Sequence, residues 1–209
     1  MYVLLFLIFF CHLCMSFSRQ ISLAVAKASK VTSLLHTSTI FKDKFEASFG
    51  ENVSIPAANT TRWNSTVLNL KAILSLDHTK LADISESKWE HLKFSPREWG
   101  QLTELVEVLQ PFLEATDLLQ GDKAVTISLV APTVLSLYTG LQKMEERGRV
   151  RHCKSLVQAL KNSLSHRFRG IFISVRYIKS NYFKRLFLSK GNMIILVLFC
   201  PSLTSLINA

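Results

Sequence analysis

Ser95-Pro96-Arg97-Glu98-Trp99 is the stretch from which the fold of this chain is read. A serine at an N-cap accepts a hydrogen bond from a free amide of the first helical turn. Proline at the next position has no N–H to leave unsatisfied, and a glutamate three residues after the cap returns a bond to the cap's own amide. The pattern predicts a helix that starts at Pro96. Beyond it Trp99, Leu102, Leu105, Val106, Leu109, Phe112, Leu113 and Thr116 recur at helical spacing and form the expected buried face. Pro111 lacks an amide hydrogen and predicts a kink. Gly121-Asp122 supplies the turn that ends the helix.

Helical periodicity continues on both sides. Downstream, the spacing predicts a helix over Ile127 to Glu146 that buries Leu129, Val130, Val134, Leu137, Leu141 and Met144, tolerates Pro132 near its first turn and stops at Gly148. Val150 to Phe172 follows as an amphipathic stretch, with Cys153, Leu156, Val157, Leu160, Leu164, Phe168 and Phe172 on one face and basic residues elsewhere. Upstream, Thr60 or Thr61 can cap a helix that places Trp63, Val67, Leu70 and Leu74 on one stripe. Ser22 to Leu35, with apolar residues at Leu23, Val25, Ala26, Val31, Leu34 and Leu35, reads as a further helix ending at a polar His36-Thr37-Ser38-Thr39 turn. Ala47 to Asn59, with Gly50, Asn52 and Pro56, reads as a connection. The expected fold class is mainly α.

The two ends differ from this middle. Residues 1–20 carry the apolar run Tyr2 to Cys11, which looks like a secretory signal without a basic start. Residues 176–209 form a basic and apolar tail containing Met193 to Cys200. Both runs fall short of the roughly 20 residues that a membrane helix needs, so no membrane partner is expected. Sequons at Asn52, Asn59 and Asn64 would be glycan acceptors if the chain were secreted. Charge is divided as sharply as hydropathy. The chain carries a formal +10, with ten acidic and four basic residues between Asp77 and Asp122, and twelve basic residues and no acid after Glu146. A surplus of this kind has two readings, a solvated or unfolded basic tail and a polyanionic partner, since lysine and arginine that neutralise phosphates release condensed counterions.

Chemistry is sparse. Cys11, Cys14, Cys153 and Cys200 are too scattered for a disulfide framework, and Cys11-His12-Leu13-Cys14 lacks the second ligand pair that zinc requires. Glu104 and Glu107, like Glu145 and Glu146, sit at helical spacing and read as solvated surface. The six histidines show no ligand spacing, and no Ser or Cys nucleophile has a partner motif. Neither a small-molecule substrate nor a cofactor is expected. Arg62-Trp63, at a helix start, admits two readings: the indole anchors the helical core and the arginine is solvated, or the arginine contacts a phosphate while the indole stacks on an unpaired base.

With these residues, several ordered segments resemble the hAT-type transposases and their domesticated relatives that carry BED zinc fingers. They are Ala24 to Val31, His36-Thr37-Ser38, Thr61-Arg62-Trp63-Asn64-Ser65-Thr66, Trp99, Leu109-Gln110-Pro111-Phe112-Leu113-Glu114-Ala115-Thr116, Val125 to Ser128 with Pro132, and Arg167 to Phe172. The resemblance covers residues 21–175. It implies the helical insertion domain of an RNase H-like α/β fold with most of the sheet missing. Family members cleave and join DNA strands with divalent metal ions held by three acids, which must stabilise both attacking and leaving oxygens. The matching positions lie outside the portion resembled here, so no catalytic or metal-binding residue is carried over and no BED finger is present. The resemblance implies a truncated, inactive transposase derivative in the nucleus, with DNA and a second copy of the chain as potential partners. Arg62 and Trp63 are its DNA-contacting residues. A small secreted or membrane-associated glycoprotein and a decayed element without function are the alternatives.

Overall fold

In the computed structural model, residues 19–57, 63–85, 87–120 and 127–174 are described. Both apolar ends, Arg62 and the Gly121-Asp122 turn lie outside them. Among the described residues the regular structure is helical throughout, with no strand. The chain divides into two units, Met1–Thr116 with Val150–Leu156, and Asp117–Arg149 with Val157–Ala209.

The first unit opens with α1 (Arg19–Thr37), longer at both ends than the sequence spacing predicts. Its buried face is Ile21, Ala24, Ala28 and Val31; of the apolar residues that the spacing singles out only Val31 is buried, and Leu23 is exposed. Ser38 does not begin a turn of several residues. It is the single link to a second helix, α2 (Thr39–Phe49), which it caps by accepting a bond from the Phe41 amide. This corrects the expected connection over Ala47 to Asn59: its first three residues are helical, and Gly50, at φ 90°, ends the helix. Phe41 and Phe45, one turn apart, are buried. Next come α3 (Trp63–Leu74), α4 (His78–Ile84) and a 3-10 turn over Ser87–Leu92. In α3 the buried positions are Val67, Leu70 and Ile73, with Leu74 half-buried where full burial is expected. Asp77 caps α4, accepting from the amides of Thr79 at 2.8 Å and Lys80 at 3.4 Å and from the Thr79 hydroxyl. These bonds hold its carboxyl below the ordinary range. Helix α1 packs on α2, α3 and the 3-10 turn, and α2 packs on α4.

The capping box forms as its sequence predicts. The Ser95 amide donates to Glu98 Oε2 at 2.8 Å, and the Glu98 amide donates to Ser95 Oγ at 3.2 Å, opening α5 (Pro96–Gln120). Lys27 of α1 joins it, donating to both Glu98 oxygens at 2.7 and 2.9 Å and to the Lys93 carbonyl at 3.0 Å. Burial alone would raise the Glu98 carboxyl, but the bonds from Lys27 and Ser95 outweigh it and the net shift is downward. A depressed carboxyl contributes stability above its unfolded pKa and loses it as pH falls through the folded one. Glu98→Gln is therefore expected to lower stability by about 1 kcal/mol at neutral pH and by much less below pH 4. Urea titrations at the two pH values test this, and an equal loss at both would contradict the ion pair.

Along α5 the chain stays helical through Pro111. Leu102, Leu105, Leu109, Phe112, Leu113 and Thr116 are buried as expected, but Val108 is buried as well, while Trp99 and Val106 are only half-buried. At about 100° per residue, Val106 lies about 100° from Leu105, at the edge of the face, and Val108 about 60° away on its other side. The core is rotated toward Val108.

In the second unit, α6 (Ile127–Glu146) buries Val134, Leu135, Leu137 and Leu141, leaving Leu129, Val130 and Met144 half-buried. Gly148, at φ 62°, turns the chain after it. Of α7 (Lys154–Arg167), Val157, Leu160 and Leu164 are buried, and Lys161 pairs with Glu145 of α6 at 2.5 Å. Tyr138 meets Phe172 edge-on, with ring centroids 5.0 Å apart. No helix among the described residues is long and apolar enough to cross a membrane.

Candidate nucleic-acid interface

Of the two residues expected to contact DNA, Arg62 lies outside the described residues. Trp63 is the first residue of α3, and its side chain is likewise not described. The segment is tied to the core six residues further along the same helix. Asn69, with no exposed surface, donates from Nδ2 to Thr32 Oγ1 at 2.7 Å and to the Pro56 carbonyl at 2.8 Å. Thr32 in turn donates to the Ala28 carbonyl at 3.2 Å. Helix α3 is thereby fixed both to α1 and to the segment that leads toward it.

The cations after Glu146 are deployed unevenly. Arg147, Arg149, Arg151, Lys154 and Arg169 are exposed, whereas Lys161 is committed to Glu145 and lies 5.9 Å from the Tyr138 ring centroid.

Glu104 departs from its expected role as solvated surface. Glu107 is exposed, but Glu104 is half-buried and accepts four bonds from consecutive backbone amides: Arg151 to both oxygens at 3.0 Å, His152 at 2.7 Å and Cys153 at 3.1 Å. Arg151, His152 and Cys153 precede the first residue of α7, where no helical carbonyl faces their amides, and a carboxylate from α5 serves all three. No local sequence signal marks this role.

Cys153 sits beneath this arrangement with no exposed surface, and burial together with the Glu104 carboxylate pushes its thiol up to about 12. It stays protonated at neutral pH, which is the reverse of what a nucleophile requires. Among the described residues no three His, Cys, Asp or Glu side chains converge on a metal position.

No protein-family profile matches the chain, and no solved structure matches it. A curated protein of Talaromyces stipitatus, named "Putative transcriptional regulator tpeD", is 37% identical over 87 residues, which cover 42% of this chain. The match spans about a tenth of that relative's length.

Proposed function

We propose that this chain is a helical derivative of an hAT-type transposase that binds DNA through its basic half, acts in the nucleus and performs no strand chemistry of its own. Its helices would correspond to the insertion domain of an RNase H-like fold, with Arg62 and Trp63 touching a distorted DNA end. The observation that carries the reading is the acid-free run after Glu146, in which Arg147, Arg149, Arg151, Lys154 and Arg169 point to solvent. The ordered motifs from Ala24 to Phe172 supply the family, and a partial relative named for transcriptional regulation is consistent with a DNA partner.

Each phosphate contact adds about −0.9 to the salt slope, so affinity for a duplex of arbitrary sequence falls about 3.5-fold per contact between 50 and 200 mM salt. Fluorescence anisotropy of the full chain measures this. Replacing the five cations by glutamine should remove most of the affinity and flatten the salt dependence, while Trp63→Ala should weaken binding to single-stranded DNA. Unchanged affinity in the five-residue variant would overturn the proposal.

A further inference from the structure

In the first unit, the backbone between Val150 and Lys154 is held from two directions. From below, Val150, Cys153 and Leu156 are buried, so every third residue is an anchor. From the side, the Glu104 carboxylate gathers the amides of Arg151, His152 and Cys153, which follow it by 47 to 49 residues. Arg151 and Lys154, interleaved with the anchors, are both exposed. A flexible basic loop must lose backbone freedom when it docks on a phosphate. A segment already fixed by three buried side chains and one carboxylate has lost that freedom on folding.

We infer that Glu104 is a positioning residue that presents Arg151 and Lys154 as a preorganised contact for the phosphate backbone of DNA. The inference rests on the DNA-binding reading above. Its sign sets it apart from plain electrostatics. Glu104 is an anion close to two cations that meet a polyanion, so a charge effect alone makes Glu104→Gln bind DNA more tightly and leaves Glu104→Asp unchanged. Positioning makes both variants bind more weakly, the first because one amide oxygen cannot replace two carboxylate oxygens, the second because the shorter side chain cannot reach three amides.

The test is anisotropy of the full chain with a 20-base-pair duplex across a salt series, with far-UV circular dichroism to follow the helices. Both Glu104 variants are expected to lose threefold or more in affinity. Arg151→Ala with Lys154→Ala, which leaves the anchors in place, should reduce the salt slope by about two. If wild type binds while Glu104→Gln binds equally or more tightly, or the double alanine variant keeps the full slope, the positioning role is overturned and the DNA reading stands. Absence of salt-sensitive binding by wild type would remove the DNA reading, and this inference with it.

Discussion

Phe41→Ala is expected to lower the unfolding free energy of the first unit by about 3–5 kcal/mol, the usual range for deleting a fully buried aromatic side chain. Phe41 is 0% exposed, while its neighbour Ile40 is 58% exposed, although the two side chains are of similar hydrophobicity. The Phe41 ring stands edge-on to Trp89 at 5.0 Å, so truncation opens a cavity and also removes an aromatic pair that joins α2 to the 3-10 turn. Ile40→Ala is the control, with an expected change within about 0.5 kcal/mol, because its surface is already solvated. Urea titration followed by circular dichroism compares them. A shifted midpoint with an unchanged slope identifies lost stability rather than a changed unfolded state. Equal effects at positions 40 and 41 would mean that α2 presents a different face to the core.

These two residues also show where the sequence is legible and where it is not. Helix α5 could be read because its start is a local contract among Ser95, Pro96 and Glu98, complete within four residues. The end of α1 could not. His36-Thr37-Ser38-Thr39 has the composition of a turn, but only Ser38 leaves helical geometry, and its hydroxyl caps the next helix. The spacing of Phe41, Phe45 and Phe49 is helical in retrospect, yet polar residues before it and Gly50 after it outweigh it in a short window. Val106 and Val108 differ in burial through the rotation of one face, which depends on what packs against it and not on the helix itself. Glu104 is the hardest case, since its amide partners lie 47 to 49 residues away and nothing in its own neighbourhood distinguishes it from Glu107. As for the proposed interface, its candidate cations are visible in the composition. Which of them are free is decided by partners such as Glu145, and those only the fold brings near.

Asn69→Asp is expected to produce a large and pH-dependent loss. The side chain is fully buried, and both of its bonds are donated by Nδ2, to Thr32 Oγ1 and to the Pro56 carbonyl. The orientation of the amide follows from the network. The Pro56 carbonyl can only accept, and the Thr32 hydroxyl spends its hydrogen on Ala28, so each requires a donor from Asn69. Aspartate sets a carboxylate oxygen against two acceptors at a position with no exposed surface, which at neutral pH should lower stability by about 3–5 kcal/mol, as for other uncompensated buried charges. Protonated, the same group donates to Pro56. Its folded pKa must therefore lie above the unfolded value of about 3.9. The folded state binds the extra proton, so stability is greatest below pH 4 and falls by up to about 1.4 kcal/mol per pH unit above it. Asn69→Leu is the comparison. It leaves the Pro56 carbonyl unpaired and should lose about 1–3 kcal/mol with no pH dependence of its own. Urea titrations of both variants at pH 4 and pH 7 separate the outcomes. An Asn69→Asp variant equally stable at the two pH values would show that this amide does not hold Pro56 to α1 and α3. The entry to the Arg62-Trp63 segment would then be set by something else.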